Sequence, residues 1–197
     1  MLAVLLTAVY YLPWLSGSGA GLSFNAIDLA EWVSLHPAAR AETPALVTPM
    51  LLRILLIFIG AIAILSLRWM LFQLVTTGLV MLALVPPVGF SAITSADPNY
   101  RQQFVLALSA AGSLGSLTFF SRFYTAPPAA AAASIGLLGF LAAVLGLLRA
   151  YDIVRLSGYD LVVGPGGLLT AGLFLLLTVL VIVPVTLKKN GGVPLIA

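Results

Sequence analysis

Few side chains in this sequence could catalyse a reaction or bind a metal ion. The 197 residues include no cysteine and one histidine, His36. Without cysteine, the chain has no disulfide, no thiolate nucleophile, no iron–sulfur ligand and no zinc site built on sulfur. A haem held by two histidines of this chain is excluded because His36 is its single histidine.

One group of residues could in principle collect a divalent cation. Asp28 and Glu31 are three residues apart, and His36 follows them. Carboxylate oxygens are ordinary ligands of hard cations. Acids on a solvated loop need no ligand to explain them, so we expect no metal site.

Motifs for nucleophilic or phosphate chemistry are incomplete. A serine nucleophile needs a base within hydrogen-bond reach, and Ser109, Ser113 and Ser116 have none nearby in the sequence. The glycine-rich stretch at 164–167 lacks the Lys and Ser/Thr that follow in a phosphate-binding loop, so we interpret it as the turn before the last helix. We expect a protein that is not an enzyme and has no catalytic residues.

The composition predicts an all-α integral membrane protein with one transmembrane domain over residues 1–197. Hydrophobic residues make up 61% of the chain, charged residues 8%, and mean hydropathy is +1.15. A soluble domain has about 25% charged residues. The net charge of +3 comes from Lys and Arg that are scattered rather than clustered. We therefore expect no nucleic-acid partner.

Six segments are apolar enough, and long or nearly long enough, to cross about 30 Å of hydrocarbon. The expected bundle of about six helices with short loops uses residues 1–15, 46–67, 70–87, 102–120, 129–148 and 167–187. The first segment is short, and a cleaved signal peptide is its alternative. Between the second and third spans the chain must turn near Arg68 and Trp69, which suit a headgroup boundary.

The charges predict an orientation for this bundle. With six spans drawn, one side carries all the acids: Asp28, Glu31, Glu42, Asp97, Asp152 and Asp160. Lys188, Lys189 and the shorter loops fall on the other side, which the positive-inside rule assigns to the cytoplasm. We expect a protein of the cell (inner) membrane with both termini cytoplasmic.

The external loop at residues 16–45 is the longest polar region. Asn25 or Ser23 could cap a short amphipathic helix at residues 26–35, which Pro37 would end. We expect this helix to lie on the outer membrane interface. A ligand-binding cap is the alternative.

Charged and aromatic residues near the membrane suggest contacts with lipid, a partner or a solute. Arg53 lies two turns into the second span and could snorkel to lipid phosphate or to an acid of a partner. Together with Arg101 and Arg155 it could alternatively recognise an anionic solute. The expected interface anchors are Trp14, Trp32 and Trp69.

Small residues recur at helical spacing in the fourth and fifth spans. The rows are Ala107, Ala111 and Gly115, and Gly136, Gly139 and Ala143. Such rows let helix backbones approach closely. We expect these two helices to pack on each other or on a partner.

These features favour a non-catalytic subunit that packs into and stabilises a larger membrane complex, for example one of electron transport or photosynthesis. Its expected partners are other integral membrane subunits and lipids. We predict no intrinsic cofactor; a bound pigment or quinone would take its ligands from other chains or from a weak donor such as Gln73. The alternative is a small solute-binding membrane component of a transporter. Its expected site faces outward and uses the first loop (Asp28, Glu31, Trp32), Asn99, Arg101 and Arg155.

Overall fold

A computed structural model describes residues 1–17, 22–86, 96–123 and 129–190, the last seven of these as backbone. Its elements are α1 (Leu2–Tyr10), β1 (Leu15–Gly17), β2 (Ser23–Phe24), α2 (Ala26–Leu35), α3 (Pro37–Arg40), α4 (Val47–Ser66), α5 (Met70–Leu84), α6 (Pro98–Phe120), α7 (Ala129–Arg155), β3 (Leu161–Val163) and α8 (Pro165–Asn190). A 3₁₀ turn, Ser121–Phe123, follows α6. Parts of three expected connections, at 18–21, 87–95 and 124–128, lie outside the described residues.

The fold is all-α, and four of its described helices are long and apolar enough to cross a membrane. They are Val47–Ser66, Pro98–Phe123, Ala129–Arg155 and Pro165–Val183. The expected count of six spans is therefore not confirmed. The 15-residue α5 is apolar but only about 22 Å long at 1.5 Å per residue.

The expected first span, residues 1–15, requires a correction. α1 has nine residues, about 14 Å, which is less than half of a hydrocarbon layer about 30 Å thick. The helix ends before Pro13. The chain then becomes extended, and the backbone N–H of Trp14 donates to the carbonyl oxygen of Phe24 at 2.7 Å. Strand pairing thus replaces the last turns of the expected helix.

Two connections that are distant in the sequence meet in a small antiparallel sheet with strand order β2-β1-β3. Leu15 pairs with Phe24 on one side and with Val163 on the other. The approach is so close that a Cβ on Gly166 would lie 2.6 Å from the carbonyl oxygen of Leu12. We expected residues 164–167 to form the turn before the last helix, but only Gly164 precedes it, and Pro165, Gly166 and Gly167 form its first turn beside this sheet.

α4 lies at the centre of the bundle. In its most apolar window 67% of the residues are buried, against 28–33% for the other three long helices. α1, α2, α5, α6 and α7 all pack against it, and α5–α6 and α7–α8 form further close pairs. A helix surrounded in this way needs no polar face, in keeping with its aliphatic sequence.

The turn between α4 and α5 lies at residues 67–69, as predicted. The Gln73 amide donates to the carbonyl oxygens of Ile64 at 3.1 Å and Leu67 at 2.8 Å. Carbonyl groups at the end of a helix have no partner within it, so this side chain completes the end of α4. Gln73, which we considered as a weak cofactor ligand, has this structural role instead.

The predicted small-residue row on α7 lies at a helix contact. A Cβ on Gly136 would overlap Thr178, and a Cβ on Gly139 would overlap the ring of Phe174, both on α8. Ala143 is fully buried. These residues let α7 and α8 approach closely.

The row on α6 is only partly covered. Ala107 is buried and Ala111 is half-buried, but a Cβ on Gly115 would have no described atom within 4 Å. α6 packs mainly against α5 and α4, whereas α7 packs mainly against α8 and α4. The expected close pairing of the fourth and fifth spans with each other is therefore not found in the described part of the chain.

Candidate functional site

A compact polar segment lies over one end of the bundle. This segment, residues 25–46, contains α2 and α3, and we call it the cap. One ion pair joins it to each of three long helices. The pairs, with their N–O distances, are Glu31–Arg53 on α4 (2.8 Å), Arg40–Asp97 at the start of α6 (2.9 Å) and Glu42–Arg149 on α7 (3.8 Å).

All the acids of the chain belong to this end, which we call the acidic end. Glu31, Glu42 and Asp97 are in the three ion pairs, and Asp28 is in the cap. Asp152 lies in the last turn of α7, and Asp160 directly precedes β3. The opposite end, with residues 67–69 and the 3₁₀ turn, carries basic residues; we call it the turn end.

The cap begins with the helix that the sequence predicts. The Asn25 carbonyl oxygen accepts hydrogen bonds from the N–H groups of Ile27 and Asp28, at 2.9 and 3.0 Å. Asn25 is therefore the N-cap, and α2 spans the predicted residues 26–35. The helix does not merely rest on an interface, because Leu29, Ala30 and Val33 are fully buried against the bundle.

The three residues considered as cation ligands have separate roles. The Asp28 carboxylate accepts from the Asn25 amide at 2.7 Å, and Glu31 pairs with Arg53. The His36 Nδ1 accepts from the Ala38 N–H at 3.1 Å, which starts α3. Among the described residues no three potential metal ligands come together.

Arg53 is the centre of the most buried polar contacts at this end. One guanidinium nitrogen donates to the Asn99 Oδ1 at 2.7 Å and to the Gln102 Oε1 at 3.3 Å, while the other donates to Glu31. The Gln103 amide also donates to the Glu31 Oε1, at 2.6 Å. We call these five residues the Arg53 cluster.

The two charges of the cluster differ in their exposure to solvent. The Arg53 side chain is 5% exposed and the Glu31 side chain is 49% exposed. A buried guanidinium is costly unless charge and hydrogen bonds compensate it, and here one carboxylate and two amide oxygens do so. The expectation that Arg53 reaches lipid phosphate, a partner's acid or a solute is corrected, because its partners lie within the chain.

The start of α6 places two members of the cluster. Asp97 is the N-cap and accepts from the Asn99 N–H at 2.9 Å, and Pro98 occupies the first helical position. Burial alone would raise the pKa of the Asp97 carboxyl, but the hydrogen bonds from Asn99 and Arg40 outweigh it and hold that pKa below its ordinary value. The Arg40 contact thus fixes both the cap and the helix start.

The start of α4 is held by the same segment. Glu42 accepts from the Thr48 N–H at 3.0 Å and also from its hydroxyl. Leu46 has a left-handed backbone, φ 60°, which is strained for a side chain of this size. Its N–H donates to the Ala39 carbonyl oxygen at 2.8 Å and its carbonyl accepts from Gln102 at 3.0 Å, so contacts on both sides maintain the strain.

The remaining predicted site residues are dispersed. Arg101 and Arg155 are exposed on α6 and α7, whereas Arg53 is buried. Trp32 is half-buried against Phe24, His36 and Tyr159.

The other two expected interface anchors have opposite environments. Trp69 is 74% exposed at the turn end, whereas Trp14 is fully buried. Trp14 cannot anchor at an interface, because its ring is covered by the start of α8, where it lies against Gly166 and Gly167.

Sequence reasoning named Arg53, Glu31 and Asn99 as candidate contacts but did not join them in one cluster, and it missed Gln102 and Gln103. Asn99, Gln102 and Gln103 have the spacing of one helix face, which was the available signal. The cluster contains no nucleophile beside a base in the described chain. Its chemistry is that of a fixed hydrogen-bonded ion pair that orients the cap.

Comparisons with family models, curated proteins and solved structures gave no match.

Proposed function

We propose that the protein is a non-catalytic integral membrane subunit that binds another membrane protein through the outward face of α6. Four long apolar helices are compatible with a multi-pass membrane protein. In this proposal the acidic end faces outward, and Lys188 and Lys189 put the turn end and the end of α8 in the cytoplasm of a bacterial-type inner membrane.

The observation that carries this proposal is the composition of the exposed face of α6. This helix has the lowest hydropathy of the four, 1.6 against 2.3–2.5, yet only 28% of its window is buried. A helix that faced only lipid would be expected to be the most apolar. Large apolar side chains are exposed near its two ends (Val105 and Leu108, Phe119 and Phe120), but between them the exposed residues are small: Ser109, Gly112, Ser113 and Ser116.

The outward faces of α6 and α8 differ in the way that a partner would require. On α8 the exposed residues are large and aliphatic, such as Leu175, Leu176 and Val179, which suits acyl chains. On α6 four exposed positions over two turns, 109, 112, 113 and 116, are serine or glycine, so another helix backbone has room to approach. The predicted partner is therefore a transmembrane helix with small residues at its contact.

The alternative, an anionic-solute component, depended on Arg53. Because Glu31 already neutralises that guanidinium at 2.8 Å, a solute would have to displace a bonded carboxylate. The burial of the guanidinium and its contacts within the chain instead support a structural role for Arg53, so we propose the subunit function alone.

The test compares two exposed glycines with open space in front of them. Gly112→Leu on α6 is expected to release a stoichiometric membrane partner during mild-detergent purification from the native membrane. Gly172→Leu on α8, whose Cβ also meets nothing within 4 Å, is expected to retain it. Equal retention by both variants, or a wild type that purifies without a stoichiometric partner, would contradict the proposal.

A further inference from the structure

An apolar groove of about 700 Å³ runs between α1, α4 and α5. This volume is within the range of about 300–1,000 Å³ typical of small-molecule sites. Residues of all three helices line it, among them Ala3, Thr7, Gly60, Ala63, Thr76 and Ala83. The short α1 forms one wall, α5 forms the other, and α4 forms the floor.

Three hydroxyl groups in the lining already donate hydrogen bonds within their own helices. Thr7, Ser66 and Thr76 each donate to the carbonyl oxygen four residues earlier in their own helix, at 2.9, 2.7 and 2.8 Å. These three hydroxyl protons are therefore not free to donate to the acceptor groups of a polar solute. The groove therefore fits a hydrocarbon chain better than a polar molecule.

One end of the groove lies at the turn end of the bundle, which carries basic residues. Ser66 and Leu67 line it there, and the exposed Arg68 and Trp69 follow directly in the chain. Arg122 lies at the same end, where its guanidinium contacts the Met70 sulfur at 2.9 Å. All six acids belong to the acidic end, so the turn end, with Arg68 and Arg122, attracts anions.

We propose that the groove binds one acyl chain of an anionic glycerophospholipid whose phosphate lies at Arg68. The apolar lining accounts for the chain, and the charge at the end of the groove accounts for the phosphate. The exposed Trp69 has the amphipathic character of residues found at the headgroup level. This inference rests on the membrane location in the proposed function but not on the partner at α6.

The experiment uses the full chain purified in mild detergent and offered vesicles of phosphatidylcholine with a minor fraction of phosphatidylglycerol. Native mass spectrometry counts retained lipids, and thermal unfolding reports the fold. The wild type is expected to retain one phosphatidylglycerol. Arg68→Gln is expected to lower the preference for phosphatidylglycerol over phosphatidylcholine about fivefold, since one basic residue contributes about 1 kcal/mol to binding an anionic surface.

Two variants fill the groove, and one matched variant does not. Ala63→Phe on α4 and Ala83→Phe on α5 each add a ring to its lining, and because residue 83 is exposed, the second variant adds no buried bulk to the fold. Both are expected to abolish retention, and Ala130→Phe, exposed on α7, is expected to leave it unchanged. Retention that survives both groove variants, loss in all three, or no lipid on the wild type would overturn the proposal.

Partner retention measured on the same variants separates this proposal from the proposed function. A groove variant that loses lipid and keeps the partner at α6 supports the lipid site alone. If a protein helix rather than lipid occupies the groove, the groove variants lose the partner and the wild type retains no phosphatidylglycerol, which contradicts the lipid proposal.

Discussion

Arg53 and Glu31 form an ion pair of 2.8 Å in which the guanidinium is buried and the carboxylate is half exposed. The pair joins the central helix α4 to the cap, and Asn99 and Gln103 of α6 complete it from the other side. Three elements are thus held together at one point. Because the two charges are unequally buried, removing one of them should lower the stability of the fold more than removing the other.

Glu31→Gln is expected to destabilise the protein more than Arg53→Met. The first variant leaves a buried guanidinium without its carboxylate, and loss of one partner of a fully buried pair costs about 3–5 kcal/mol. Because half of the Glu31 side chain is exposed, water replaces part of the loss and the cost is below that range. Thermal unfolding in detergent measures both variants.

The double variant provides the control for this asymmetry. In the Arg53→Met variant the Glu31 carboxylate has lost its partner but is solvated. Adding Glu31→Gln to this variant is therefore expected to cost little more. Asp152→Asn, an exposed acid on α7, is expected to be nearly silent. Additive costs in the double variant would mean that the two residues do not act as a pair.

Gly139→Leu is expected to lower stability by about 1–3 kcal/mol, as overpacking typically does. The added side chain would overlap Phe174 at the α7–α8 contact. Gly115→Leu and Leu175→Ile are expected to be nearly silent in the isolated protein, since residue 115 faces open space and residue 175 is exposed. Equal thermal midpoints for all three variants would argue against the α7–α8 packing.

Stability should fall in acid partly through Asp97. Its pKa is lower in the folded chain than in the unfolded chain, where it is about 3.9. The stabilisation is therefore complete above about pH 4 and is lost as the pH falls through the lower folded-state pKa. Asp97→Asn should be less stable than wild type near neutrality. Thermal unfolding at decreasing pH should show this difference in stability shrink below about pH 4.

The absence of cysteine makes the orientation directly measurable. Single cysteines at Asp160 and at Arg68 should react with a membrane-impermeant thiol reagent from opposite sides, because they lie at opposite ends of the bundle. Asp160→Cys should label in intact cells, and Arg68→Cys only after the membrane is opened. Labelling of both from the same side would contradict the proposed arrangement.

Local patterns predicted local structure well in this chain. Asn25 as N-cap fixed the start of α2, and the polar residues at 66–69 located the turn between α4 and α5. Both signals depend on residues only a few positions apart. The helix boundaries at these places agree with the sequence-based prediction.

Contacts between distant residues could not be predicted in the same way. Arg53 bonds to Glu31 and Asn99, which are 22 and 46 residues away, and no local pattern pairs them. Trp14 beside Pro13 resembled an interface residue because the strand that covers it comes from residues 161–163. Burial of this kind depends on the tertiary fold, so the composition of one segment does not reveal it.

The central claim, a helix partner on the outward face of α6, is tested most directly by a cysteine scan of that helix in native membranes. Single cysteines at residues 105–116 are tested for cross-linking to a protein of defined mass. The account predicts strong cross-linking at 109, 112, 113 and 116, on the exposed face, and little at the buried Leu106, Ala110 and Leu114. Cross-linking without this helical period, or none at the exposed positions, would contradict it.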